Sequence, residues 1–244
     1  MLCRDDVTAR SVERLPQVQE TGTAMMEQKL SRQSIVASAR RLYAGSPSRY
    51  RLLQSLRPYI CPFEDLLALV PPRGRMLDIG CGAGLFLALS AEHRADVTAI
   101  GFDAEGSAIA VAQAVADRAS LSGRLSFQHS AVGDPWPAGP FDFVSMIDVL
   151  HHIPVHAQRE AILAAYRQVV PGGRFLYKDM VERPVFRAWW NRLHDLVVAK
   201  QWINYRAISD VAQWIEAAGG RIVDRSARNM GPYGHEWLVI ERPA

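Results

Sequence analysis

Asp78, Gly80, Gly82 and Gly84 stand at alternate positions in the stretch Leu77-Asp78-Ile79-Gly80-Cys81-Gly82-Ala83-Gly84, and this spacing suits them to hold a ligand. Glycines have no Cβ, so a ligand can lie directly against the backbone amides between them. The apolar run Leu85 to Ala91 that follows reads as a helix, and the partial positive charge at its start favours a carboxylate or phosphate. Asp78 would repel a pyrophosphate but suits an ammonium group. A dinucleotide fingerprint would place its last glycine one position later, where Leu85 stands. A ligand with both a carboxylate and an ammonium is an amino acid. Asp103, about 20 residues beyond the turn, is at the distance where an acidic residue takes ribose hydroxyls. The pattern therefore predicts an amino acid joined to a nucleoside.

A second group could move protons. His151 and His152 follow the apolar run Phe141 to Met146, where a strand would open toward the same ligand. Imidazole titrates near neutrality and serves as a general base, while capping or packing is the plainer role for His152. Lys178 and Asp179 end a further strand on the same side, either in the cleft or as a salt-linked surface pair. His152 and His156 are four apart on an expected helix, but with no obvious third ligand nearby no metal is expected. Cys81 is better read as a small packing residue than as a nucleophile.

Alternating strands and helices must position these groups. Arg75 to Ile79, Asp96 to Phe102, Arg124 to His129, Phe141 to Met146 and Arg174 to Lys178 read as strands. Between them, Leu85 to Arg94, Ser107 to Leu121 and Val155 to Val170 read as helices, the last stopped by Pro171-Gly172-Gly173. Arg221 to Ala227 and Glu236 to Glu241, joined by a turn-rich segment, read as a final antiparallel hairpin. The expected fold is α/β: a doubly wound, mostly parallel, seven-stranded Rossmann-like sheet with a C-terminal antiparallel hairpin and N-terminal helices. Residues 1–22 are expected to be disordered and 23–63 to form a helical cap, with helices from Ala24 to Tyr43 and from Ser48 to Leu56, before Pro58. Residues 64–244 form the main domain. Within it, the stretch 184–206 is unusually aromatic, with Phe186, Trp189, Trp190, Trp202 and Tyr205, and the helical spacing of Trp189, Leu193 and Val197 suits ordinary core packing.

With 244 residues, 49% of them hydrophobic and 22% charged, the chain suits one large α/β domain with appendages. A net charge of +3 gives little reason to expect nucleic acid as a partner. Three separated cysteines, no run long enough to span a membrane and no signal-like N-terminus point to a cytoplasmic protein.

The motifs together resemble those of class I S-adenosylmethionine-dependent methyltransferases of the small-molecule kind. The likeness covers about residues 64–242: the glycine turn, Gly101-Phe102-Asp103, the run from Phe141 to Ile153, and Pro171-Gly172-Gly173. It implies S-adenosyl-L-methionine as the cofactor. Asp78, Gly80, Cys81, Gly82 and Gly84 would line its methionine part, Asp103 and Ala104 its ribose, Ser130 and Ala131 its adenine, with Ile147 against the ligand. His129-Ser130-Ala131 stands where the family usually has Gly-Asp-Ala, so a neutral hydroxyl replaces the expected carboxylate. In the similar phosphobase methyltransferases, a histidine matching His152 is the base and an aspartate matches Asp148. The resemblance implies methyl transfer to a small hydrophobic, aromatic or carrier-bound acceptor, at oxygen, with His152 or His151 as base and residues 184–206 as the acceptor cover. Two alternatives stay open: an NAD(P)-dependent oxidoreductase and a binding protein without catalysis. Asp103→Ala and Gly80→Val are expected to weaken binding most.

Overall fold

The computed structural model describes residues 30–181 and 204–244. The expected disordered segment 1–22, the start of the expected first helix and residues 184–203 of the expected acceptor cover lie outside the described residues. Helices α1 (Arg32–Leu42), α2 (Ser48–Ile60) and α3 (Phe63–Ala68) precede the first strand. Then follow β1 (Arg73–Ile79), α4 (Leu85–His93), β2 (Asp96–Asp103), α5 (Gly106–Arg118), β3 (Leu125–His129) and β4 (Phe141–Ile147). A 3-10 turn at Leu150–His152 leads into α6 (Val155–Arg167) and β5 (Val169–Met180). After residues 182–203 come α7 (Ile208–Ala217), β6 (Arg221–Met230) and β7 (Tyr233–Glu241).

The seven strands form one sheet in the order β3-β2-β1-β4-β5-β7-β6, parallel except for β7. The chain winds outward from β1 to β3, crosses back to β4 and winds the other way. The carboxyl ends of β1 and β4 therefore sit side by side at the point where the winding reverses, the crevice in which such sheets bind ligands. Each face of the sheet is covered by apolar packing. On one, Ile35, Ala39 and Leu42 of α1 share a cluster with Phe63, Phe86, Leu89 and Val115. On the other, Ile162, Tyr166, Val211 and Ile215 of α6 and α7 pack on Leu77, Val144, Phe175 and Leu238. Helix α4 is buried from Leu85 to Ala91, which explains its unbroken apolar run.

Three local expectations change. Helix α2 continues through Pro58 to Ile60. In the last turn a proline removes one backbone donor but already has a helical φ, and the Cys61 N–H still bonds to Arg57 O at 2.9 Å. Pro171-Gly172-Gly173 does not stop α6, which ends at Arg167, but lies inside β5 as an irregularity. Phe141 pairs with Val169 and Phe143 with Arg174, so the extra residues on β5 bulge outward, and Gly172 N–H bonds to Arg242 O at 2.7 Å. The hairpin strands are longer than expected, and β7 lies between β5 and β6.

Candidate active site

The glycine turn leaves the end of β1 with Gly80, Gly82 and Gly84 at φ of +67°, +55° and +79°, in the left-handed region that favours glycine. Their surroundings differ. A Cβ on Gly80 would come 2.4 Å from Val149 Cγ2, and one on Gly84 would come 2.8 Å from the Phe127 ring. A Cβ on Gly82 would meet nothing within 4 Å. Gly80 therefore lets the turn pack against Val149, beyond the end of β4, Gly84 lets it pack against β3, and Gly82 faces the open crevice. Tyr43, which caps the C-terminus of α1, supports the turn from beneath, donating its hydroxyl to Ala83 O at 2.6 Å.

Asp103, at the end of β2, is fixed beside this turn. Its carboxylate accepts the Gly82 N–H and the Glu105 N–H, each at 2.8 Å, which leaves lone pairs for ribose hydroxyls. Asp78 is buried and accepts the Ser145 hydroxyl at 2.6 Å. Burial raises its pKa to about 7, and the Ser145 hydrogen bond and the Arg57 charge only partly offset this. Such a carboxylate gains from a bound cation. The Asp78 carboxylate, the open face of Gly82 and the fixed Asp103 together fit the ammonium, backbone-contacting and ribose portions of S-adenosylmethionine.

The remaining expected cofactor residues surround this arrangement. Cys81 is buried against Gly101 of β2, where a Cβ would come 2.8 Å from its Sγ, and burial pushes its thiol pKa up. A raised pKa keeps it a packing thiol rather than a nucleophile. The Ala104 carbonyl lies 3.0 Å from His129 Nε2. Ser130 donates its hydroxyl to Pro135 O at 3.4 Å, and Ala131 N–H bonds to the Asp134 carboxylate at 2.7 Å. Asp134, read in the sequence only as part of a loop, thus brings a carboxylate beside the expected adenine residues. Ile147 ends β4 with only 7% of its surface exposed.

The two histidines have different surroundings. His151 is 2% exposed, and its Nδ1 lies 2.5 Å from the Asp179 carboxylate, which also accepts the Met180 N–H at 2.8 Å. His152 is exposed, with its ring centroid 4.1 Å from that of His151. The 3-10 turn thus directs the first histidine inward and the second outward. Among the described residues no three His, Cys, Asp or Glu side chains gather as a metal ion would require.

Lys178 and Asp179 are not a salt-linked surface pair. They point to opposite faces of β5, both buried, and Lys178 is paired with Asp148. Asp148 has φ +59° and also accepts from Arg57 of α2 at 3.3 Å. Burial alone would raise the Asp148 pKa, but Lys178 and Arg57 hold it well below the usual carboxylate range. Burial opposes the charge on Lys178, but Asp148 more than restores it, so the lysine pKa is raised. His235 of β7 lies beside this pair with its ring buried, and burial and Lys178 push its pKa down to about 3. Neither Arg57 nor His235 stood out in the sequence, because each reaches the site only through the tertiary fold.

Comparison with known proteins supports the fold and the reaction class. A family model described as a methyltransferase domain matches residues 51–224. A ubiquinone biosynthesis O-methyltransferase of Cereibacter sphaeroides is 29% identical over 188 residues, 73% of this chain and 73% of the relative. A trans-aconitate 2-methyltransferase of Streptomyces avermitilis is 34% identical over 122 residues, 48% of this chain and 44% of the relative. An O-methyltransferase family protein from Burkholderia thailandensis superposes with a TM-score of 0.65 at 22% identity, over 88% of this chain and 63% of that protein's length. The magnesium protoporphyrin IX methyltransferase of Synechocystis PCC 6803, solved with bound SAH, gives 0.64 at 16% identity, over 83% and 92%. At these identities the structural likeness speaks for the fold alone.

Proposed function

This chain belongs to the methyltransferase domain family and is an S-adenosylmethionine-dependent methyltransferase, and on that premise we propose that it methylates a hydroxyl oxygen of a small hydrophobic or aromatic acceptor. The observation that carries this reading is the buried His151–Asp179 pair beyond the end of β4. An ionised carboxylate only accepts hydrogen bonds, so the shared proton sits on His151 Nδ1 and Nε2 keeps its lone pair. An imidazole oriented in this way serves as a general base. The names of the ubiquinone biosynthesis O-methyltransferases among its relatives also support oxygen as the target.

Bound S-adenosylmethionine supplies a methyl group already activated on a sulfonium. The chain's own residues then align the acceptor and remove its proton. Asp78 and Asp103 would hold the donor at the crevice, and His151 Nε2 would take the acceptor hydroxyl's proton as its oxygen bonds to the methyl carbon and the sulfur leaves as a neutral thioether. Asp179 stabilises the resulting imidazolium. His152, on the exposed side of the same turn, contacts the acceptor without acting as the base. The methyltransferase-domain match sets aside the nicotinamide-dependent alternative.

The test is a labelled-methyl transfer screen over fractions of small hydroxylated acceptors, run with wild type, His151→Ala and His152→Ala. His151→Ala should lower turnover by about 10²–10⁴-fold and leave calorimetric donor affinity unchanged, and His152→Ala should lower it far less. The opposite ranking would move the base to His152. Equal turnover by all three would remove a histidine base from the reaction.

A further inference from the structure

We propose that the outward face of α2 docks on an anionic lipid surface. The helix has its faces reversed relative to an ordinary surface helix. Tyr50, Gln54 and Pro58, spaced i, i+4, i+8, are buried against the body of the protein. Leu52, Leu56 and Tyr59, spaced i, i+4, i+7, lie on the opposite side with Leu53, and they are 63%, 47%, 45% and 39% exposed respectively. An apolar stripe of this kind facing water marks a contact surface.

Charge identifies the partner. Residues 30–60 contain six arginines and no Asp, Glu or Lys. Arg32, Arg41 and Arg57 are paired with Glu64, Glu92 and Asp148, while Arg40, Arg49 and Arg51 are exposed and make no ion pair among the described residues. Unneutralised cations flanking an exposed leucine stripe are the signature of a helix that lies in the interface of an anionic membrane. A second copy packed on the same stripe across a two-fold axis would bring these arginines together, so charge disfavours self-association. No helix among the described residues is long and apolar enough to cross a membrane, so this contact is peripheral.

The placement of α2 gives the contact a use. At one end of the helix, Arg49 and Tyr50 hydrogen-bond Ser107 at the start of α5, and near the other Arg57 reaches Asp148. The helix therefore runs along the edge of the crevice, and docking it would bring the mouth of the site to the lipid. The contact itself needs neither the proposed acceptor nor methyl transfer.

Co-sedimentation of the full chain with phosphatidylglycerol and with phosphatidylcholine vesicles, without cofactor or acceptor, tests this proposal. Wild type should pellet with the anionic vesicles, pellet weakly with the neutral ones, and lose affinity several-fold as salt rises. Leu52→Gln/Leu56→Gln should lower partitioning by at least about tenfold and leave donor affinity by calorimetry as in wild type, which shows that the fold is retained. Absence of wild-type binding, or equal binding by the variant, overturns the proposal. So does wild-type dimerisation in sedimentation velocity that the double variant abolishes, because a second copy would then cover the stripe. Loss of oligonucleotide binding on Arg49→Gln/Arg51→Gln without any vesicle binding would assign the arginines to nucleic acid and also overturn it.

Discussion

The three turn glycines have different roles, and substitution should separate them. Alanine at Gly82 meets no neighbour but forces a Cβ into the left-handed region, a strain of roughly 1–2 kcal/mol, and points a methyl group into the donor's place. Gly82→Ala should therefore fold with a modestly lower melting temperature and bind donor poorly in calorimetry. Gly80→Val should instead fail to fold, because its Cβ would overlap Val149, so its loss of binding is a loss of structure. Asp78 adds a pH dependence. Its pKa of about 7 in the ligand-free protein means that an ammonium-bearing donor must find it ionised, so donor affinity should rise between about pH 6 and 8 with release of a proton. Calorimetry in buffers of different ionisation enthalpy measures that proton. Asp78→Asn should abolish it and weaken binding by about 10–100-fold, the value of a charge-assisted hydrogen bond. This part of the candidate site was legible in the sequence, because turn, acid and helix are contiguous and the chemistry is local. The sequence did not show which histidine points inward, since burial of His151 rather than His152 depends on how the 3-10 turn meets Asp179 of a different strand.

The ends of β4 and β5 are held by charge. Lys178 is fully buried and its ammonium is compensated by Asp148, so Lys178→Met leaves a buried carboxylate with Arg57 as its remaining ion-pair partner among the described residues. Breaking such a pair costs about 3–5 kcal/mol, and removing both charges costs less. Urea denaturation should accordingly show Lys178→Met/Asp148→Asn to be more stable than Lys178→Met alone, and asparagine tolerates the left-handed φ at position 148. At this scale the sequence was legible where apolar runs alternate with turn residues, as in α4 and the first four strands. It misled where punctuation residues serve another end. Pro58 sits in the last turn of α2, where it costs one hydrogen bond, and Pro171-Gly172-Gly173 forms a bulge whose partner is Arg242, some 70 residues away in the chain. Neither proline carries a local sign of that difference.

Across the whole molecule, two buried groups set opposing pH trends. Asp78 has a pKa of about 7 folded and 3.8 as a free side chain, so the folded chain holds an extra proton between these values and its stability falls as pH rises through them. His235 has a pKa of about 3 folded and 6.5 free, so the folded chain holds one proton fewer and its stability rises over nearly the same window. Each effect is on the order of 4 kcal/mol across its full range, and the two should nearly cancel in wild type between about pH 4.5 and 6.5. Denaturation at those two pH values should show Asp78→Asn gaining stability with rising pH and His235→Leu losing it. The order of the sheet has a consequence for how the molecule is built. Strand β6 is synthesised before β7 yet touches the sheet only through β7, which fills the slot beside β5. Until residues 233–241 have left the ribosome, β6 has no edge to pair with and α7 covers an incomplete surface. Strand β7 therefore closes the architecture last, and a chain cut after Met230 would forfeit two strands rather than one.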